Sequence, residues 1–514
     1  MGMQAFFRLK GGGEHDKIKE KPERNIHMEI SKEIEKVIAQ GPYTDTWASL
    51  AEYRAPRWFS DAKFGIFIHW GVYSVPAFAN EWYSRNMYIQ GTREFEHHVA
   101  TYGPQKEFGY KDFIPMFRAE KFDADAWAEF FAEAGARYVV PVAEHHDGFQ
   151  MYPSKLSHWN AGEMGPCRDV IGEVLGACAK KGMTPGTSTH RVEHWFFMGH
   201  GREFDSDIHE PMKRGDFYWP AMPEGNHHDL YSTPVPTDEF LEDWLERCCE
   251  LVDLYHPKLV YFDWWIQHSA VRPYLRKFAA YYYNRAAEWG EEVVITYKHD
   301  AFQFGAAVPD VERGQFAQAK PYVWQSDTAI ARNSWCYTEN NEFKKPESII
   351  RDLADIVSKN GNLLLNVGPK SDGTISEEDQ KVLRGIGQWM KVNGEAIYDT
   401  RVWRYSAEGP TAIPEGQFTD GAEKVFTPED FRFTVKGDKI YAICMQWPEN
   451  GEVNIRSFAV ADASHLPVFA GIIRDVEILG EAEKPEWTRD EQGLHVRAKG
   501  VKSEYPVVIA LTVE

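Results

Sequence analysis

The chain is 514 residues long, and at about 150 residues per domain this length predicts two or three domains. Hydrophobic residues make up 43% and charged residues 26% of the sequence, which is typical of globular proteins and excludes a disordered, collagen-like or coiled-coil chain. The net charge of −21 opposes binding to nucleic-acid phosphates or to an anionic membrane, and we find no local basic patch that would reverse this.

The N-terminus and the cysteines indicate a cellular compartment. The first 29 residues are polar and charged, so we expect neither a signal peptide nor a membrane-spanning segment. The 6 cysteines lack the regular spacing of a disulfide framework, which favours free thiols in a reducing compartment. The sequence therefore predicts a cytoplasmic protein, with secretion as the alternative if a signal peptide has been removed.

A polar lead-in with a short helix near residues 30–40 precedes a regular alternation of helices and strands. The first strand, residues 64–69, is apolar at nearly every position, as expected of a strand that is buried on both faces of a parallel sheet. Five helix–strand pairs follow, with helices at 125–134, 169–181, 238–255, 273–289 and 347–359 and strands at 137–143, 184–189, 259–262, 293–297 and 362–367. This alternation predicts a parallel α/β fold, either a doubly wound sheet or a closed (β/α)8 (TIM) barrel.

The absence of nucleotide-binding motifs favours the barrel. No G-x-G-x-x-G or G-x-x-x-x-G-K-[ST] motif follows a strand. A barrel has eight strands, so two of them must be irregular or must lack a clear sequence pattern. After a last helix at residues 376–392, short alternating segments separated by turn residues predict an antiparallel β-sandwich. We expect a lead-in at 1–45, a barrel at 46–400 and a β-sandwich at 401–514 that supports the barrel without a binding site of its own.

Polar side chains follow five of the predicted strands, where the loops of a parallel α/β fold converge on one face. In chain order these are His69, His145 with His146 and Asp147, His190, Asp263 and Lys298. A single histidine after a strand is usually structural. Several polar strand ends that meet at one rim indicate a binding or catalytic site.

Metal chemistry stays open as an alternative. The adjacent residues His145, His146 and Asp147 resemble metal ligands, but adjacent side chains diverge unless the loop bends sharply, and no H-E-x-x-H or paired C-x-x-C motif is present. The histidine pairs at 97–98 and 227–228 lie in polar surroundings, and we expect them at the surface. The absence of G-x-S-x-G argues against a serine hydrolase.

Carboxylates supply the remaining chemistry. Asp263 follows the apolar strand 259–262, and Trp264 beside it offers a flat apolar face. The second carboxylate is Glu312, which we place in a loop after the fifth strand, with Asp310 as the alternative and Glu339 as a third candidate. Two carboxyl groups beside rings that stack on sugar C–H faces are the outline of a glycosidase acting on a neutral sugar.

Four motifs resemble those of the α-L-fucosidases of glycoside hydrolase family 29. They are KFGIFIHWGVYS (63–74), NEWYSRNM (80–87), ARYVV and HHDGF (136–149) and SKNGNLLLNVGP (358–369). The resemblance implies an often irregular (β/α)8-like barrel followed by a C-terminal β-sandwich. It also implies a retaining exo-α-L-fucosidase that needs no cofactor or metal and acts on fucosylated oligosaccharides or glycoconjugates, with the oligomeric state and the linkage preference left open.

The resemblance also assigns roles to single residues. Asp263 matches the nucleophile, and Glu312 is our choice for the general acid/base, so burial or the charge of Asp263 should raise its pKa. The residues that resemble the sugar-binding shell are His69, Glu81, Trp82, His145, His146, Tyr261, Trp264 and Trp335. His190 stands where the family usually has a tyrosine, and Lys298 is the basic residue near the end of the fifth strand. A catalytically silent fucose-binding protein on the same scaffold is the alternative, and it would require that one carboxylate is missing.

Overall fold

The computed structural model describes residues 15–514 except residues 227–228, 423, 462–463 and 465. Eight parallel strands follow one another around a closed barrel, and the last strand pairs with the first. In chain order they are β1 (Phe64–Ile68), β2 (Tyr138–Glu144), β3 (Thr184–Thr189), β4 (Leu259–Phe262), β5 (Val294–Tyr297), β6 (Val308–Glu312), β7 (Trp324–Ala329) and β8 (Gly361–Val367). The closed barrel confirms the (β/α)8-like fold and excludes the doubly wound sheet.

Helices surround the barrel strands. They are α1 (His15–Gln40), α2 (Trp47–Leu50), α3 (Arg57–Ala62), α4 (Tyr83–Asn86), α5 (Arg93–Tyr102), α6 (Ala124–Glu133), α7 (Val170–Lys180), α8 (His194–Phe197), α9 (Asp238–Tyr255), α10 (Arg272–Trp289), α11 (Pro346–Ser358) and α12 (Glu377–Asn393). Helix α9 begins where the Thr237 side chain accepts a hydrogen bond from the main-chain N–H of Phe240. Two acidic residues in its first turn stabilise the helix through their interaction with the positive end of its dipole. Within the described part of the chain, no helix is long and apolar enough to cross a membrane.

Strands β6 and β7 are the two that the sequence pattern does not reveal. They carry acidic and amide side chains, yet β7 is buried at every position. These polar groups are paired, because the Lys298 ammonium contacts Asp310 and Asp327 and the Gln325 amide donates a hydrogen bond to Asp310 at 2.7 Å. Buried ion pairs and hydrogen bonds here replace the apolar side chains that a pattern search needs. The predicted loop around Glu312 is therefore wrong, since Glu312 is the last residue of β6.

Two smaller expectations also change. The helix predicted near residues 30–40 begins at His15. His98, expected at the surface, is fully buried on α5, where its ring nitrogens lie 3.1 Å from the Tyr83 hydroxyl and 2.8 Å from the Phe108 carbonyl oxygen. The surface prediction is wrong for His98 because its helix turns this ring toward the core. The pair at 227–228 lies outside the described residues.

The described residues after position 400 form eight strands: β9 (Arg401–Glu408), β10 (Phe431–Lys436), β11 (Lys439–Cys444), β12 (Glu452–Ile455), β13 (Ile473–Ile478), β14 (Glu486–Asp490), β15 (Gly493–Arg497) and β16 (Val507–Val513). One antiparallel sheet has the order β13-β16-β11-β10-β9, and the other has the order β12-β15-β14. A second hydrophobic core, with Phe431, Val476 and Leu494 fully buried, lies within this part of the chain. The predicted β-sandwich is confirmed.

Buried polar contacts fix the β-sandwich against the barrel. The Arg432 guanidinium on β10 forms an ion pair with Asp355 on α11, and both side chains are almost fully buried. On α12, the Trp389 indole N–H donates to the main-chain carbonyl of Pro506 at 2.8 Å. These contacts join the β-sandwich to two helices of the barrel, α11 and α12.

Candidate active site

A cavity of about 540 Å³ opens at the carboxyl ends of the barrel strands, the face on which functional loops converge in this architecture. Eleven of the twelve predicted catalytic and binding residues line it. They are His69, Glu81, Trp82, His145, His146, His190, Tyr261, Asp263, Trp264, Glu312 and Trp335. The structure therefore brings together residues that six different barrel strands or their loops supply.

Asp263 is held by two histidines directly after β4. Its Oδ2 atom lies 3.1 Å from His190 Nδ1 and 3.4 Å from His146 Nε2. Burial alone would raise the pKa of Asp263, but His190 and His146 hold it well below its usual range. Burial also opposes the charge of His146, yet Glu193 and Asp263 raise the pKa of His146 to about 9. At neutral pH, Asp263 is therefore an ionised carboxylate facing the cavity.

Glu312 has the opposite protonation state at the end of β6. Burial and the negative charge of Asp263 raise its pKa to about 8, although the Lys298 ammonium at 3.6 Å from Oε2 opposes this shift. The Trp264 indole N–H donates a hydrogen bond to the Glu312 carboxyl group. At neutral pH, Glu312 is therefore mostly protonated, as expected of a general acid.

The remaining candidates lie away from the cavity. Asp310 lies two residues before Glu312 and thus on the same face of β6, but one layer deeper in the barrel, where it contacts Lys298 and Gln325. Lys298 is fully buried among Asp310, Asp327 and Glu312 and does not line the cavity. Glu339 is exposed in a loop, where its main-chain N–H donates to Ala77. Of the three acidic candidates, only Glu312 reaches the cavity.

Three neutral histidines form one side of the cavity. Burial lowers the pKa of His69 and His145 well below the usual range, and it also lowers the pKa of His190. His69 Nδ1 lies 2.6 Å from Asn366 Oδ1, which fixes the ring orientation. His145 Nδ1 is buried and makes no hydrogen bond to any described residue. A neutral ring with an unpaired nitrogen suits a hydrogen bond to a sugar hydroxyl.

Two sets of cavity side chains are close enough to hold a metal ion. They are His69 with His145 and His190, and His146 with His190 and Asp263. The adjacent trio proposed as metal ligands is not brought together, because the Asp147 carboxylate accepts hydrogen bonds from the Tyr110 hydroxyl at 2.7 Å and from the Phe149 N–H at 3.1 Å. This geometry does not support a metal-dependent hydrolase built on residues 145–147.

An apolar wall packs against the histidines, since the ring centroids of Phe67 and Trp335 lie 4.5 Å and 5.2 Å from that of His69. The Tyr261 hydroxyl donates to Asp327 at 2.8 Å, and its ring packs against Phe67 with centroids 4.8 Å apart. Trp335 extends this wall, and its main-chain N–H donates to the Glu81 carboxylate at 2.9 Å. Phe67 is missing from the sequence-based set, although it precedes His69 by two residues on β1 and so shares its face.

Eight further residues line the cavity but are not predicted from the sequence: Phe67, Arg85, Glu193, Glu224, Trp265, Gln267, Asp327 and Phe418. Glu224 belongs to the long segment before α9, and its carboxylate pairs with Arg85 and with His200 Nε2 at 3.1 Å. Phe418 lies in the segment between β9 and β10. The sequence predicts no separate binding site after residue 400, and it does not reveal this contribution to the barrel's cavity. Phe418 carries no sequence signal, since only tertiary packing brings it to the cavity.

Comparisons with known proteins identify the family of this chain. The family model for α-L-fucosidase matches residues 30–395, and the model for the α-L-fucosidase C-terminal domain matches residues 425–513. Human tissue α-L-fucosidase is 29% identical over 489 residues, which are 92% of this chain and 93% of that protein. The crystal structure of Thermotoga maritima α-fucosidase is 29% identical and superposes with a TM-score of 0.72, covering 91% of this chain and 100% of that chain. The same enzyme in complex with fucose is 28% identical and covers the same shares of the two chains, with a TM-score of 0.70. Since the family model spans well over half of the sequence, the chain belongs to the α-L-fucosidase family of glycoside hydrolases.

Proposed function

We propose that this chain is a retaining exo-α-L-fucosidase that removes terminal α-L-fucose from oligosaccharides or glycoconjugates. One observation carries the proposal: a single cavity holds two carboxyl groups in opposite protonation states, Asp263 ionised and Glu312 with a pKa of about 8. Retaining glycosidases need this combination of a nucleophile and a proton donor.

In the first step, the Asp263 carboxylate attacks the anomeric carbon and Glu312 transfers its proton to the glycosidic oxygen. The leaving group departs as an alcohol, and fucose stays bound to Asp263 as an ester. Glu312 is then a carboxylate, which the Lys298 ammonium at 3.6 Å and the Trp264 N–H stabilise.

In the second step, Glu312 takes a proton from a water molecule, which displaces Asp263 and returns the α configuration. The electrostatics favour this exchange of roles. Esterification removes the negative charge of Asp263, which is one cause of the raised pKa of Glu312. The pKa of Glu312 therefore falls in the intermediate, at the moment when this residue must act as a base.

The polar and the apolar groups that line the cavity match the hydroxyl groups and the methyl group of fucose. The neutral rings of His69 and His145 offer hydrogen-bonding groups for its hydroxyls, and Phe67, Tyr261 and Trp335 offer apolar contacts for its C6 methyl group. An apolar pocket favours a methyl group over a hydroxymethyl group by about 1–3 kcal/mol.

Two variants test the assignment with an aryl α-L-fucoside as substrate. Asp263→Gly should abolish turnover, and normal turnover would refute its role as nucleophile. Glu312→Ala should be slow, and added azide should restore turnover with α-L-fucosyl azide as product, because azide displaces Asp263 from the face that water would attack and needs no general base. Without azide rescue, Glu312 is not the acid/base.

Two controls separate the other functions. A fucose-binding protein without activity would bind fucose in calorimetry and release none from the fucoside. A metal-dependent hydrolase would lose activity in a chelator, whereas the proposed mechanism predicts full activity there.

The cytoplasmic location and the formation of a homo-oligomer stay predictions.

A further inference from the structure

The segment between β9 and β10 lies across the end of the strand that carries Glu312. The Gln417 side-chain oxygen accepts a hydrogen bond from the Glu312 N–H, and the Phe418 N–H donates to the Glu312 carbonyl at 2.8 Å. The Asp420 N–H donates to the Arg313 carbonyl at 2.8 Å. These hydrogen bonds attach a short piece of the C-terminal part of the chain to the end of β6.

A buried ionic contact fixes the same segment from the other side. The Asp420 carboxylate accepts hydrogen bonds from the Thr328 hydroxyl at 2.6 Å and from the Lys344 ammonium at 2.5 Å. Thr328 belongs to β7, so the segment is tied to two neighbouring barrel strands. Its position relative to Glu312 is therefore defined by the barrel and not by the segment alone.

Phe418 is the residue of this segment that lines the cavity. Its side chain is 60% exposed, and its ring lies nearly parallel to Trp264, with an interplanar angle of 14° and centroids 6.0 Å apart. Its φ of 56° is in the left-handed region, which costs a bulky residue conformational energy. An exposed aromatic ring in a strained conformation at the mouth of a cavity indicates a binding role rather than packing.

We propose that Phe418 and Trp264 form the subsite for the leaving group, where they stack on the apolar C–H face of the sugar to which fucose is attached. This inference rests on the proposed function, in which Glu312 protonates the oxygen between fucose and the leaving group. The leaving group must therefore lie beside the Glu312 carboxyl, which Trp264 contacts directly. The family matches end at residue 395 and resume at residue 425, so Phe418 lies outside both.

The test compares Phe418→Ala with the wild type on two kinds of substrate. The first is a set of fucosyl disaccharides with α1,2, α1,3, α1,4 and α1,6 linkages, and the second is α-L-fucosyl fluoride, whose leaving group occupies no sugar subsite. We expect the ratio of kcat/KM for the best disaccharide to kcat/KM for the fluoride to fall about three- to tenfold, as for the loss of one stacking contact. Phe418→Trp should restore the ratio, and Phe418→Leu should not.

Phe304→Ala is the matched control, because Phe304 is also an exposed ring, 65% accessible and packed on Tyr322, but does not line the cavity. A ratio in Phe418→Ala that stays within twofold of the wild type would overturn the subsite. So would a wild-type enzyme that hydrolyses the fluoride and none of the disaccharides. A wild type that hydrolyses neither substrate would instead refute the proposed function.

Discussion

The two carboxyl groups of the cavity differ in the number of positive charges around them. Asp263 has its own partner, because His146 has a pKa of about 9 and lies 3.4 Å away. Glu312 shares a single cation, Lys298, with Asp310 and Asp327, which are closer to the ammonium. Burial and the negative charges of Asp263 and Asp327 outweigh this one cation and raise the pKa of Glu312, so Glu312 keeps its proton. Counting local charges thus predicts which carboxyl is the nucleophile and which is the acid.

Glu312→Gln removes the protonated one of the two carboxyl groups, and this substitution has the largest expected effect. The amide cannot donate a proton, so kcat/KM for a fucosyl disaccharide should fall by about 10²- to 10⁴-fold. The wild-type rate should also decline as the pH rises through about 8, because Glu312 loses its proton there, and the variant should lack this decline. Glu339→Gln, on an exposed carboxylate outside the cavity, is the control for a pH profile of kcat/KM. An unchanged alkaline decline in Glu312→Gln would assign that titration to another group.

Lys298→Met removes the shared cation. Since the Lys298 charge lowers the pKa of Glu312, its loss should move the alkaline decline of kcat/KM to higher pH. Asp310 and Asp327 then lose their buried cationic partner, so the free energy of unfolding should fall by about 3–5 kcal/mol.

Denaturant unfolding and the pH profile of kcat/KM together check the Lys298 prediction. Lys359→Met is the control, since Lys359 is equally buried and pairs with Asp355 outside the cavity. It should lose stability without a shift in the pH profile. A decline that moves to lower pH in Lys298→Met would contradict the assigned charge balance.

His146→Gln weakens the ionised side of the comparison. Because His146 lowers the pKa of Asp263, the variant should raise that pKa. Asp263 must be ionised to attack, so the acidic decline of kcat/KM should move to higher pH. His98→Gln, on a buried histidine outside the cavity, should leave the acidic decline in place. The same acidic profile in His146→Gln and the wild type would show that His190 alone holds the carboxylate ionised.

The same charge distribution decides what could be predicted from the sequence. Strands such as β1 and β4 carry almost only apolar and aromatic side chains, so they stand out, and the polar residues that follow them, including His69 and Asp263, mark the site. Strands β6 and β7 hold Asp310 and Asp327 inside the barrel, and their pairing with Lys298 depends on a fold that no local pattern shows. Sequence patterns therefore do not reveal the strands that carry these buried charged groups beside the active site.

Tyr261 contacts both the buried charged groups and the sugar-binding cavity, and its substitution has the smallest expected effect. Its hydroxyl donates to Asp327, and its ring belongs to the apolar wall of the cavity. Tyr261→Phe keeps the ring and removes one hydrogen bond to a buried carboxylate, so the free energy of unfolding should fall by about 1.5–3 kcal/mol. Tyr261→Ala also removes the ring, so the preference for an α-L-fucoside over the matching α-L-galactoside should fall by about 1–3 kcal/mol in kcat/KM. If Tyr261→Phe loses this preference as fully as Tyr261→Ala, the hydrogen bond to Asp327, rather than the ring, selects the methyl group.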